Sequence, residues 1–238
     1  LKMDFLGLRT LTVIHDTETA VRRKYPDFRV AGIDYDDPDT YAMLARGETE
    51  GIFQLESTGM TQVLTGMRPK NLEDIIALIS LYRPGPMDSI PTYLRNRKDP
   101  SKVSYKTPQM AHIVDVTNGV VIYQEQVMQI CRELAGFSFG QADNVRRAMS
   151  KKKLKVMEAE REHFVHGCKE PGKECAGCVA NGVPENVANQ IYDDMISFAS
   201  YAFNKSHAAC YAYVAFQTAY LKCHYPHEFM AALLTSVL

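Results

Sequence analysis

The densest group of residues that could bind phosphate lies near the carboxyl end of the sequence. Its members are Asn204, Lys205, Ser206 and His207. An alanine-rich helix pattern follows at once, so the group falls at a predicted helix start. The first N–H groups of a helix are unpaired and carry the positive end of its dipole, which suits an anion. An ordinary capped helix with a solvated lysine fits the same residues, and spacing alone leaves both interpretations open.

A basic block runs from Arg146 to Lys155 without any acidic residue. It contains Arg146, Arg147, Lys151, Lys152, Lys153 and Lys155. Because the whole chain has a net charge of only −1, this block is a strong local field. Arg147 and Lys151 are one helical turn apart and would share a face. The block favours a nucleotide or nucleic-acid phosphate, although a solvated helix end has the same composition.

Two other positions offer charged groups at fixed places. Arg83 precedes Pro84 and Pro86 at a predicted helix end, which would hold it rigidly. Lys2 and Asp4 are two residues apart on a predicted strand and so share a face. They form either a solvent-facing ion pair, which spacing alone favours, or a metal-binding carboxylate beside a phosphate-binding ammonium.

The cysteines raise the question of a metal site. The chain has six cysteines and shows no export signal, so a disulfide framework is not expected. The candidate zinc ligands are His166, Cys168, Cys175 and Cys178. The spacing of His166 and Cys168 is too short for the usual second knuckle. A surface insertion with reduced thiols is therefore favoured over zinc.

Hydrophobic periodicity predicts a mainly α fold with a few short β-strands. The 238 residues are enough for a sizeable core, and no apolar run is long enough to span a membrane. The chain starts with Leu1 and a predicted strand, so we expect it to be a piece of a longer protein. The main predicted helices are 8–24, 58–67, 72–81, 89–98, 124–134, 141–149, 157–165 and 226–238, and the predicted strands are 1–6, 51–56 and 119–123.

Several longer motifs carry a resemblance to a known family. They are Leu1-Lys-Met-Asp-Phe-Leu-Gly-Leu-Arg-Thr-Leu-Thr12, Gly51-Ile-Phe-Gln-Leu-Glu-Ser57, Leu81-Tyr-Arg-Pro-Gly-Pro-Met87, Tyr123-Gln-Glu-Gln-Val-Met128, Arg146-Arg-Ala-Met149 and Phe203-Asn-Lys-Ser-His-Ala-Ala209. In this order they resemble the bacterial C-family replicative polymerases, the alpha subunits of DNA polymerase III of DnaE type. The resemblance covers nearly the whole chain.

The resemblance implies a division into the end of the palm at 1–24 and a helical fingers domain at 25–238, with a Cys-containing insertion near 166–183. Asp4 matches the third of three aspartates that hold two Mg²⁺ ions, and Lys2 matches a lysine that contacts the triphosphate or the primer end. Arg146 and Arg147 match residues that clamp the phosphates of the incoming nucleotide. The remaining substrate-binding candidates are Arg83, Lys151, Asn204, Lys205, Ser206 and His207.

The implied function is nucleotidyl transfer from a dNTP to a primer 3′-hydroxyl. The implied partners are primer-template DNA, dNTP and, in the full chain, a sliding clamp and other replisome subunits, in the bacterial cytoplasm near the nucleoid and away from membranes. Two departures from the family pattern matter. The run resembling Asp-Phe-Asp-Val-Asp that carries the other two aspartates is absent, so the piece alone is expected to be inactive, and Ser150 stands where the family commonly has Gly.

Two functions of other classes stay open from the residues. A non-enzymatic helical module could use the basic block as a rail for nucleic-acid phosphates. A docking surface for other replication proteins is a further alternative, but no residue locates it.

Overall fold

The computed structural model describes residues 7–151, 153–199 and 203–237. Within these residues the chain forms α-helices joined by short loops and 3₁₀ turns. The α-helices are α1 Arg9–Arg22, α2 Pro38–Ala45, α3 Thr58–Met67, α4 Leu72–Leu81, α5 Ile90–Lys98, α6 Ala111–Val114, α7 Gln124–Ala135, α8 Phe139–Ser150, α9 Leu154–His166, α10 Glu185–Ala199, α11 Lys205–His224 and α12 Pro226–Thr235. The 3₁₀ helices are Val30–Gly32, Pro86–Ser89, Pro100–Lys102, Pro108–Met110 and Asp115–Thr117.

The mainly helical prediction is confirmed, and polar caps fix several of the boundaries. Ser57 accepts a hydrogen bond from the Met60 N–H at 3.4 Å and starts α3. Asn71 does the same for α4, accepting from the Asp74 N–H at 3.0 Å. Each cap satisfies a backbone donor that the helix itself leaves unpaired.

The predicted strands are not found among the described residues. The stretch 51–56 folds into successive turns, with the Leu55 N–H donating to the Ile52 carbonyl at 3.1 Å and Gln54 at φ 64°. A positive φ is incompatible with an extended strand, so the prediction at 51–56 is wrong. The run 119–123 is reduced to a single parallel bridge between Tyr123 and Phe203, and the run 1–6 lies outside the described residues.

The described residues divide into two compact units. Unit 1 consists of residues up to 79 together with those from 208 onward, and its core includes Val13, Ile14, Leu221 and Phe229. In this unit α1 packs along α12. The predicted boundary between palm and fingers at residues 24 and 25 is not the same as the boundary between these units, and it stays a prediction.

Unit 2, residues 80–207, carries the other core and most of the candidate site residues. Helices α7, α8, α9 and α10 pack against one another around Ile130, Phe164 and Tyr192, all at most 1% exposed. The Tyr192 hydroxyl donates to the Met157 carbonyl at 2.8 Å, so its polar end is satisfied inside the core. Burying each such side chain contributes about 1.5–3 kcal/mol, which makes this bundle a firm support for its surface residues.

In the described part of the chain, no helix combines the length and apolar character needed to cross a bilayer.

Candidate functional site

The site is built on a parallel bridge between Tyr123 and Phe203 in unit 2. The Gln124 N–H donates to the Phe203 carbonyl at 3.0 Å, and the Phe203 N–H donates to the Ile122 carbonyl at 3.4 Å. A helix starts directly after each side of this bridge, α7 at Gln124 and α11 at Lys205. We call this arrangement, the bridge with the first turns of α7 and α11, the paired helix starts. It brings two helix N-termini side by side.

A buried amide holds the α7 side of the bridge. Gln126 is 5% exposed, and its Oε1 accepts from the N–H groups of Ile122 at 2.8 Å and Tyr123 at 2.9 Å. Its Nε2 donates to the Ile113 carbonyl at 3.0 Å and the Thr117 hydroxyl at 2.7 Å. A buried amide with all these bonds satisfied fixes the backbone that leads into the site.

A carboxylate joins the two helix starts. Glu125 accepts from Asn204 Nδ2 at 2.9 Å and from the Lys205 N–H with both oxygens, at 3.1 and 3.2 Å. The Oδ1 of Asn204 in turn accepts from the His207 N–H at 2.9 Å and so caps α11. The backbone position expected to receive an anion at this helix start is therefore occupied by the Glu125 carboxylate.

Cations and rings surround the bridge. The Arg83 guanidinium lies over the Phe203 ring, 3.8 Å from its centroid, and the His207 ring meets Phe203 edge-on at 5.3 Å. The Lys205 Nζ is 5.4 Å from the centroid of the Tyr123 ring. These cation–π contacts hold two positive charges against the rings of the two bridge residues.

The two arginines of α8 play different parts. Arg146 donates to Asp143 Oδ1 from Nε at 2.9 Å and Nη2 at 2.6 Å, and from Nη1 to Gln124 Oε1 at 3.1 Å. Arg147 contacts the other Asp143 oxygen at 2.7 Å, but its side chain is 64% exposed against 26% for Arg146. Hydrogen bonding from Arg146, helped by the charge of both arginines, lowers the pKa of Asp143. Arg146 thus ties α8 to the bridge, while Arg147 reaches solvent.

The candidate residues are brought together only in part. Arg83, Arg146, Asn204, Lys205 and His207 all contact the bridge residues or the turns beside them. Ser206 is exposed in the first turn of α11, and Lys151 is exposed one turn beyond Arg147. Lys2 and Asp4 lie outside the described residues.

Sequence reasoning missed the residues that organise these cations: Tyr123, Gln124, Glu125, Gln126, Asp143 and Phe203. Two polar side chains at the start of α7, Gln124 and Glu125, were a usable signal. Their partner residues could not be found from local spacing, because Glu125 and Lys205 are 80 positions apart.

Comparison with known proteins decides the family. Residues 10–172 match the model of the bacterial DNA polymerase III alpha subunit finger domain. The DNA polymerase III subunit alpha of Thermus aquaticus is 51% identical over 241 residues, which cover 99% of this chain and 19% of that protein. Its counterpart in Staphylococcus aureus strain COL is 46% identical over 239 residues, covering 100% of this chain and 22% of that protein. The chain belongs to the DNA polymerase III alpha subunit family. It spans about a fifth of the length of these relatives.

Family membership raises the question of magnesium, and the described residues do not provide its ligands. Asp4, the expected carboxylate ligand, lies outside them. At the paired helix starts the nearby carboxylates are engaged, Glu125 by the start of α11 and Asp143 by two arginines. A magnesium pair needs several oxygen ligands, and both of these carboxylates already accept hydrogen bonds from other groups of the chain.

The Cys-containing insertion is held by backbone contacts. The Cys168 and Cys175 backbones exchange hydrogen bonds at 3.0 and 2.9 Å. The Cys175 thiol points to the His163 carbonyl at 3.5 Å, and burial raises the pKa of Cys178 to about 12. In the described part of this polymerase segment, the one group of three or more His, Cys, Asp or Glu ligand atoms lying within 4.8 Å of one another is elsewhere. The four predicted zinc ligands are therefore not gathered into a site.

That group consists of Asp37, Cys223 and His224 in unit 1. Asp37 caps α2 by accepting from the Thr40 N–H at 2.8 Å, and His224 Nε2 lies 2.9 Å from the same oxygen. Capping and this histidine contact account for the arrangement without a metal.

Proposed function

We propose that this segment forms the fingers of a replicative DNA-directed DNA polymerase and binds the triphosphate of the incoming dNTP beside the nascent base pair. One observation carries the proposal. Arg83 and Lys205 lie 3.8 and 5.4 Å from the ring centroids of the bridge residues Phe203 and Tyr123, and Arg146 donates to Gln124, the residue next to the bridge, at 3.1 Å. The family match supports the same conclusion.

The chemistry suits such a surface. Phosphoryl transfer needs little covalent help from the protein, and most of the catalysis comes from positioning and from neutralising charge on the phosphates. Lys205 and the exposed Arg147 are the groups placed to contact phosphate oxygens, with Lys151 and Ser206 farther out. Arg146 supports the site through other residues, since its donors are directed at Asp143 and Gln124. On the base-pair side lie Arg83, whose guanidinium is 3.8 Å from the centroid of the Phe203 ring, and the side chains of Asn204 and His207.

In the full chain, two magnesium ions would activate the primer 3′-hydroxyl and stabilise the leaving pyrophosphate. Asp4 would be one of their ligands, with Lys2 beside the triphosphate or primer end. The other carboxylates are absent from this sequence, so the segment alone is proposed to be inactive. Primer-template DNA is the proposed partner, with a clamp and other replisome subunits reached through the rest of the protein, in the bacterial cytoplasm.

Substitution of the phosphate-facing cations in the full-length chain tests this function. Lys205→Ala and Arg147→Ala should each raise the KM for dNTP about tenfold, because a charge-assisted hydrogen bond is worth roughly 1.5–3 kcal/mol. The control is Lys173→Ala, in the same unit, where the lysine is 56% exposed and pairs with Glu170 at 2.9 Å. It should change the KM by less than twofold.

The alternative of a non-enzymatic nucleic-acid-binding module predicts a different result. Titration of labelled primer-template would then show salt-dependent binding with no effect of added dNTP. An unchanged dNTP KM in both variants, together with that binding behaviour, would overturn the proposed function.

A further inference from the structure

The carboxylate between the two helix starts has a role of its own, which rests on the proposed function. We propose that Glu125 is a positioning residue for nucleotide binding. It locks the start of α11 to the start of α7, and so presents Asn204 and the Lys205 side chain to the dNTP.

The contacts of Glu125 are directed at the backbone and the cap of α11. Both carboxylate oxygens accept from the Lys205 N–H, and one also accepts from Asn204 Nδ2 at 2.9 Å. Asn204 is held at both ends of its amide, because its Oδ1 accepts from the His207 N–H at 2.9 Å. Its orientation follows from these two partners, and Glu125 is the one that can only accept hydrogen bonds.

Electrostatics make this position stable for a carboxylate. Glu125 lies in the first turn of α7 and against the first residue of α11, so the positive ends of two helix dipoles meet at its oxygens. Since the Lys205 N–H is engaged there, the amide of that residue does not serve the nucleotide. The triphosphate is left to the side-chain cations, Lys205 Nζ among them, which stands over the Tyr123 ring.

A competing role for Glu125 predicts a change of the dNTP KM in the opposite direction. If the Glu125 carboxylate merely occupied an anion site until a phosphate displaced it, removing its charge would strengthen nucleotide binding and lower the KM. A positioning role requires that the KM rise, because the helix start loses its orientation.

The experiment uses the full-length polymerase chain with Glu125→Gln and Glu125→Ala. The glutamine variant keeps the shape, but its NH₂ group takes the place of Oε2 and so faces the Lys205 N–H donor, which Oε2 accepts from at 3.1 Å. Both variants should raise the dNTP KM about tenfold, with kcat changed less than threefold and primer-template affinity within twofold. The matched control is Glu133→Gln on the same helix, whose carboxylate pairs with the exposed His112. It should leave the dNTP KM unchanged.

A double variant shows whether the effect passes through Asn204. The double variant Glu125→Ala with Asn204→Ala should raise the KM no more than the stronger single variant, because each substitution alone already removes the hydrogen bond between Glu125 and Asn204. The proposal would be overturned if the effects of the two substitutions on the KM multiplied in the double variant. It would also be overturned if the Glu125 variants left the KM unchanged or lowered it. If Lys205→Ala raises the KM while Glu125→Gln does not, only this inference fails; if Lys205→Ala and Arg147→Ala are both silent, the proposed function fails.

Discussion

At the scale of single residues, two glutamines in the first turn of α7 have different structural roles. Gln124 is partly exposed and accepts from Arg146, whereas Gln126 is buried and satisfies four groups of the 113–123 segment. Leaving such buried backbone groups without partners is expensive. The geometry of the paired helix starts therefore depends on a side chain that is itself buried.

Gln126→Ala should lower the free energy of unfolding by about 2–4 kcal/mol, because several buried polar groups lose their partner at once. Chemical denaturation followed by circular dichroism measures this change. Gln129→Ala on the same helix is the control, since Gln129 bonds only the exposed Glu133 in a contact of 2.7 Å. A loss no larger than that of the control would show that the amide does not hold the segment.

Only some of the residues at the candidate site could be selected from the sequence, for a physical reason. Residue type and local spacing were enough to select Arg83, Arg146 and Lys205, since clustered or rigidly held cations are visible in a sequence. Glu125 and Phe203 were not selected, because their roles arise from contacts across some 80 positions. Local periodicity contains no information on which helix starts will meet.

At the scale of elements, helices were predictable wherever a cap preceded a periodic apolar pattern. The predicted helices 58–67 and 72–81 agree with α3 and α4, and the apolar face of α7 is buried as the spacing indicates. The prediction of a strand at 51–56 was wrong because β-branched and aromatic residues also occur in tight turns when their side chains can be buried. Here Ile52 and Leu55 are fully buried within such turns.

The insertion offers an element-scale prediction through two glycines with the same backbone angle. Gly172 and Gly177 both have φ +81°, but a Cβ at Gly177 would lie 2.3 Å from the Gly167 nitrogen, while a Cβ at Gly172 meets nothing within 4 Å. Gly177→Ala should therefore destabilise the fold by roughly 3 kcal/mol or more, and Gly172→Ala by about 1 kcal/mol from backbone strain alone.

Thermal unfolding of the two variants in parallel isolates the steric clash. Equal losses in melting temperature would mean that the close approach of the two chain segments at Gly167 and Gly177 is not tightly held.

At the scale of the whole molecule, the chain spans about a fifth of the length of its relatives. Its net charge of −1 gives no sign of the basic block that starts on α8 at Arg146. One carboxylate at Asp4 cannot hold two metals. Under the proposed function, catalysis is therefore expected only in a longer chain that carries the other metal-binding carboxylates.

The purified 238-residue segment should show no primer extension with Mg²⁺ and dNTP, even when circular dichroism reports its helices. The full-length chain under the same conditions is the positive control. Any nucleotide addition by the segment, abolished by Asp4→Asn, would show that it carries a sufficient metal site by itself.

The hydrogen-bonded Cys168–Cys175 pair closes a small hairpin whose tip, residues 169–174, is exposed throughout. Its base is anchored to the same helical bundle that supports the paired helix starts. A short peptide tag or fluorophore grafted at Gly172 would therefore report on unit 2 without replacing any residue of the paired helix starts.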